Sequence, residues 1–569
     1  MREYTQAVRK GAMNVTGRHF VRAFLAPSVV TAALWGATTA AAQQATGMAP
    51  PSALEPRVEH YEFALDLPAQ GKHIVGGARL TFAAPLGADT VRLDLDGAMR
   101  VSSAWVGCAD DRRAAAFAHA GALLKVAVPS GAAEARCLAL VYDGEPADGL
   151  IITTDSAGRW AAFGDNFPNR ARFWLPTQDH PSRKASVTFI VTAPAGRSVV
   201  ANGALVSAVT NPDSRVTTTW RTTRPIPTYG MVIAAAPLTA FSLGETACGF
   251  AEDGGCVPQM AWTAPEQAVW MPGHFESAGR IVEFYARTIG AYPYEKLGHL
   301  QTTTRYGGME NPSAIFYYDR GFRRRDGIAE DLIAHETAHQ WFGNAVTERE
   351  WAHIWLSEGF ATFFAALWAQ HAHGDSAYMA EMASMRSAVL RAEVVTRRSV
   401  IDSVETDPNR LLNENSYPKG GFVLRMLRDE VGDSAFFAGL RRYYTAHHHG
   451  NALTADLQAA IEASAGRSLG WFFDQWLRKP GWAELRTLFA WDSETQRVTL
   501  TVEQGARFGP YRLTLPVELV DASGVVHRER LVIEAVTSQS VTVPGTYASV
   551  PTAVRCDPNF TLLALCTAK

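Results

Sequence analysis

Two histidines separated by three residues, with a glutamate after the first, are the chemistry-bearing feature of HETAHQWFGN, residues 335–344. On a helix, positions i and i+4 lie one turn apart on one face, so His335 and His339 can offer their imidazoles to one metal ion. Glu336 then points beside that ion without ligating it. A third donor comes from HIWLSEGFATFF, where Glu358 follows His339 by nineteen residues in a second helical pattern able to pack on the first. Two imidazoles and one carboxylate, with a fourth position open, is how a catalytic zinc is held. The donor set suits zinc better than calcium, and iron would want an open facial arrangement. One zinc ion is therefore expected at His335, His339 and Glu358.

HETAHQWFGN followed by WLSEGFA resembles the aminopeptidase N and leukotriene hydrolase family of gluzincin metallopeptidases. GGMEN, Gly307 to Asn311, is similar to that family's exopeptidase motif, with Gly308 where alanine is usual. NSYPKGG places Tyr417 and Lys419 as in the family's Tyr-x-Lys-Gly, and LPTQDHPSRKASVTFIVTAP and FFDQWLRKPGW also match family patterns. The resemblance implies a zinc aminopeptidase with a thermolysin-like catalytic domain, acting on peptides with a free N terminus. It implies Glu336 as the group that takes a proton from water and passes it to the leaving amine. Tyr417 would donate to the developing oxyanion, a contact of roughly 2.7–4 kcal/mol in such sites. Glu310 would pair with the substrate's α-ammonium and so set the first peptide bond over the metal. Gly307 and Gly308 would let the substrate backbone approach, and Met309 would line the pocket for the first side chain. The family's second amine-binding Glu or Gln falls here on Phe167, leaving Asp165 or Asn166 as the replacements at hand. Many members also carry a large helical domain roofing the site, for which no matching segment is present. That lowers the epoxide-hydrolase alternative and suggests an open cleft or one closed by another subunit. An endopeptidase on the same scaffold remains a competitor. So does a silent peptide-binding protein, against which the complete set of His335, Glu336, His339, Glu358 and Tyr417 argues.

These residues need elements to carry them. Tyr61, Phe63, Leu65 and Leu67 alternate with polar or small residues, as do Val91, Leu93 and Leu95, and then Val187, Phe189 and Val191. Such period-two runs between Gly, Pro and Asp turns predict an antiparallel β domain over residues 43–263. No proline occurs between Pro312 and Pro408, and ETAHQWF, WLSEGFATFFAALWAQ and GGFVLRMLRDEVGD carry apolar residues at helical spacing. A mainly helical catalytic domain is expected over 264–482. Beyond it, Val498, Leu500 and Val502 alternate, and LPVELVDASGVVHRERLVIEA reads as two strands around a turn, so a β-sandwich is expected over 483–569. The fold class is multidomain α+β. His447-His448-His449, near a helix-to-loop junction, and His371 and His373 read as solvated surface.

Arg2, Arg9, Lys10, Arg18 and Arg22 precede an apolar stretch ending Ala40-Ala41-Ala42, the pattern of an export leader over residues 1–42. With that leader removed, no segment approaches a membrane-spanning length, so no stable insertion is expected. The remainder is mildly acidic, without a charge block that would call for nucleic acid. Six cysteines fall into local pairs, Cys108 with Cys137, Cys248 with Cys256 and Cys556 with Cys566. Three disulfides and a periplasmic or secreted location follow as expectations.

Overall fold

A computed structural model describes residues 55–568, apart from 86, 109–111, 129–136, 156–157, 247 and 325–326. The leader expected over residues 1–42 lies outside the described residues. The alternating run that begins at Arg57 forms the strand Arg57–Asp66, with Tyr61, Phe63 and Leu65 buried. It pairs antiparallel with Ile74–Ala83 and parallel with Ser186–Ala193, inside an eight-stranded sheet. Most pairings in this region are antiparallel, as its short turns require, and the parallel pair is made possible by the more than one hundred residues between its strands.

A second, five-stranded sheet positions the site. Its strands run Thr239–Thr246, Val257–Thr263, Leu297–Thr302, Ala314–Tyr318 and Gly308–Met309. Val257–Thr263 lies parallel to Leu297–Thr302, so the sheet passes continuously through the expected boundary at 263. The edge strand Gly308–Met309 is registered by Met309 opposite Phe316. Helices follow: Ala278–Thr288, Glu330–Ala338, Trp355–His373, Asp375–Thr396, Gly420–Val431, Asp433–His447 and Thr454–Ala465. Phe360, Phe363, Phe364, Leu367 and Trp368 of Trp355–His373 are all buried, which makes this helix the axis of the catalytic half. No helix among the described residues is long and apolar enough to cross a membrane.

The C-terminal region is β-rich, with a four-stranded sheet built on Ala483–Asp492 and Arg497–Gln504 and a three-stranded sheet built on Leu513–Val520 and Val526–Ile533. Cys556 in the second sheet is bonded to Cys566 in the first, and Cys108–Cys137 and Cys248–Cys256 are also joined. Two buried lysines tie the β-rich half to the helical half in opposite senses. Lys184 Nζ donates to the carbonyls of Asn344 and Ala345, both at 2.8 Å, and of Gly450 at 3.1 Å. Lys296 Nζ donates to the carbonyls of Ala201 and Ser313, both at 3.0 Å.

Candidate active site

Helix Glu330–Ala338 carries His335 and Glu336, and His339 sits at its C-cap. Glu330 and Asp331 lie in its first turn, where the helix dipole favours negative charge. Ile333, Ala334 and Ala338 are buried, and the Tyr285 hydroxyl donates to the Ala334 carbonyl at 3.1 Å, fixing the rotation of the helix. His335 Nε2 and His339 Nε2 stand 3.1 Å apart. Glu358 Oε2 lies 3.5 Å from the first and 3.3 Å from the second. Donors about 2.0–2.1 Å from one tetrahedral ion would stand roughly 3.3 Å apart, so these three atoms fit one zinc. Glu358 Oε2 is buried and receives no hydrogen bond of ordinary geometry, as expected of an atom reserved for a cation. On the far side of His339, Nδ1 faces the Phe342 carbonyl at 3.1 Å and Ser357 Oγ at 3.0 Å. A proton on Nδ1, given to that carbonyl, leaves the Nε2 lone pair aimed at the centre.

Close helix packing brings the remaining groups in. A Cβ added to Gly359 would meet the Gly420 backbone at 2.9 Å, and one on Gly420 would meet Gly359 Cα at 3.0 Å. Only glycine at both positions allows helices Trp355–His373 and Gly420–Val431 to approach this closely. The π turn Asn415–Lys419 precedes the second helix and sets the Tyr417 ring parallel to His335, with centroids 6.1 Å apart. Lys419, fully buried in that turn, is ion-paired with Glu393 of Asp375–Thr396. Glu310 and Glu336 each place an oxygen within 4.8 Å of a His339 ring nitrogen and of each other. Gly308 lies directly against the second of these carboxylates, since a Cβ there would fall 2.2 Å from Glu336 Oε1. Gly307 faces open space apart from Leu332, and Met309 is buried.

The electrostatics follow from crowding acids around two rings. Burial raises Glu310 and lifts Glu336 well above the usual carboxylate range, with Glu358 adding to both shifts. Burial opposes ionisation of Glu358, yet His339 and His335 outweigh it and hold the carboxyl at about 2. Burial likewise disfavours a charged His339, but Glu310, Glu358 and Glu336 lift the ring to about 10. Burial, then the field of Glu358, pushes the Tyr417 hydroxyl well above its ordinary value.

The Peptidase family M1 domain matches residues 274–476, and the Peptidase M1 N-terminal domain matches residues 59–229. The chain belongs to the M1 peptidase family. The tricorn protease-interacting factor F2 of Thermoplasma volcanium is 31% identical over 274 residues, covering 44% of this chain and 33% of that protein. The leucyl aminopeptidase of Saccharolobus solfataricus is 26% identical over 412 residues, covering 69% and 49%. This M1 peptidase thus spans between a third and a half of the length of these curated relatives. The solved structure of an M1 zinc metallopeptidase variant from Deinococcus radiodurans superposes with a TM-score of 0.64 at 27% identity, covering 74% of this chain and 94% of that one.

In this M1 peptidase, neither Asp165 nor Asn166 is free to act as a second amine contact. Asn166 donates to the Met231 carbonyl at 2.6 Å and accepts from Trp174 Nε1 at 2.7 Å. The Asp165 carboxylate is paired with Arg170, and its other oxygen faces the Arg305 backbone N–H at 3.3 Å. Asp165 therefore latches the segment leading into GGMEN. Phe167 packs edge-on against Tyr229 and Trp351, at 5.3 and 5.4 Å between centroids. Three residues escaped the sequence reading. Gln340 Nε2 and Asn344 Nδ2 both donate to the Glu310 carbonyl, at 2.8 and 2.7 Å, and so bind the exopeptidase segment to the end of the histidine helix. Both lie inside HETAHQWFGN, which was the available signal. Glu348 is fully buried, neither of its oxygens has a hydrogen-bond partner, and Glu310 and Glu358 help raise its carboxyl. A lone glutamate after Val346-Thr347 carried no such signal.

Proposed function

We propose that this chain is a zinc aminopeptidase that removes single residues from the free N termini of peptides. The observation that carries this reading is the convergence of His335, His339 and Glu358 on one point, with the Glu310 and Glu336 carboxylates within 4.8 Å of His339. Zinc, when bound there, supplies the positive charge that acidifies a water and polarises a carbonyl, and that relieves the crowding of carboxylates. Glu336, which is not one of the ligands, accepts the proton of the attacking water and hands it to the leaving amine. The Tyr417 hydroxyl, whose burial keeps its proton on, donates to the oxygen that gains charge. Glu310 pairs with the α-ammonium, which places the first peptide bond and no later one at the reacting groups. Gly308 leaves open the space beside the Glu336 carboxylate. Met309 lines the pocket for the first side chain, and Gly307 leaves the backbone path open.

The three disulfides support a periplasmic or secreted location, where such bonds persist. A dipeptide amide with a free amine, assayed beside its N-acetylated twin, tests the reading. Only the free-amine form should be cleaved, and cleavage should stop on chelation. Equal turnover of both would point to an endopeptidase, and turnover of neither to a silent binding protein.

A further inference from the structure

The histidine run at 447–449 is less solvated than its composition suggests. Helix Asp433–His447 ends there, and His448 remains exposed with its Nδ1 3.0 Å from the Thr445 carbonyl. His449 takes a positive φ of 61°, and its side chain is only 13% exposed. Its Nε2 lies 2.7 Å from Oε1 of Glu252, a residue of the loop closed by Cys248–Cys256. The other Glu252 oxygen meets the Arg224 guanidinium at 2.9 Å. Glu252, His448 and His449 each offer one ligand atom, and the three atoms lie within 4.8 Å of one another.

We propose that Glu252, His448 and His449 form a second metal site, taking a divalent ion of the zinc type and clasping the disulfide loop to the end of helix Asp433–His447. Two imidazoles and one carboxylate favour zinc over calcium or magnesium, which want a shell of oxygens. The supporting contacts are those of metal ligands. His448 gives the Nδ1 proton to the Thr445 carbonyl and keeps a lone pair on Nε2, and Arg224 fixes the plane of the Glu252 carboxylate. A simple ion pair between Glu252 and His449 explains less. It leaves the His448 imidazole, whose Nδ1 is held by the Thr445 carbonyl, outside the contact. The ion would be structural. Immediately after His449, the strand Gly450–Ala452 pairs with Val346–Glu348, and the Gly450 carbonyl accepts from Lys184. The clasp would therefore anchor a junction between the β-rich and helical halves.

Zinc bound per chain, measured by elemental analysis after equilibrium dialysis against buffered zinc at neutral pH, decides the matter. Wild type should hold two ions and a His339→Ala variant one. The double variant Glu252→Gln/His448→Ala should also hold one, keep its peptidase activity, and lose the rise in unfolding temperature produced by the second equivalent. A wild type that holds one ion, lost in His339→Ala, overturns the clasp while leaving the catalytic centre standing. Two ions retained in the double variant would overturn it as well.

Discussion

At the scale of single residues, the site is a set of acids whose charges are tolerable only around a cation. Glu336 lies against Gly308 and outside the ligand triad, so its removal should spare the metal. Glu336→Gln is expected to keep its zinc while kcat falls about 10³-fold, in the range of a lost general acid–base. Elemental analysis alongside steady-state kinetics checks both halves of that statement. The metal-free centre makes a second prediction. His339, lifted to about 10 by Glu310, Glu358 and Glu336, carries a proton at neutral pH that zinc must displace. Zinc affinity should therefore rise with pH until that ring titrates. Calorimetry of the metal-free protein in buffers of different ionisation enthalpy should show at least one proton released per zinc at pH 8. Release of no proton would show that the ring is already neutral.

At the scale of elements, the decisive joint is between the edge strand Gly308–Met309 and the end of the histidine helix. Gln340 donates to the Glu310 carbonyl and accepts from the Ser313 N–H at 2.9 Å, so one side chain fixes both sides of the turn after GGMEN. Gln340→Ala removes two buried hydrogen bonds of roughly 1 kcal/mol each. With Glu310 in the proposed amine-binding role and Glu336 in the proposed proton-transfer role, KM should rise about tenfold with a smaller change in kcat. Titration with a free-amine substrate series measures this split. The π turn Asn415–Lys419 plays the corresponding part for Tyr417. Its registration depends on the buried pair Lys419–Glu393, which reaches from the turn to helix Asp375–Thr396.

At the scale of the whole molecule, the β-rich half holds the helical half through buried lysines and a shared sheet. Lys184 is pushed down to about 7 by burial, yet three carbonyls accept from its ammonium. Lys184→Met would leave those acceptors unmet and should destabilise the protein by about 3 kcal/mol. Calorimetry should show a denaturation midpoint several degrees lower, whereas the exposed Lys72→Met should leave it unchanged. The mixed sheet gives a further reason for the coupling: a strand of the first half and strands of the second are hydrogen-bonded in one layer.

The grouping of the candidate metal donors was legible in the chain itself. The i, i+4 spacing of His335 and His339 is a local property, fixed once the segment is helical, and Glu358 follows on a helix whose apolar face is equally local. The alternating runs from Tyr61 and Val187 declared their strands for the same reason, since side-chain direction depends only on backbone period. Contacts between distant segments were not legible, because no periodicity encodes them. Tertiary structure alone decided that Gln340 and Asn344 would grip Glu310, that Asp165 would be neutralised by Arg170, and that Glu348 would be buried among other carboxylates. It also turned His449 from the surface toward Glu252, nearly two hundred residues away in sequence. Residue types and their spacing determined which groups could hold a metal and move a proton. Packing decided which carboxylates keep free charge, since that depends on the partner each one meets when the sheets and helices close.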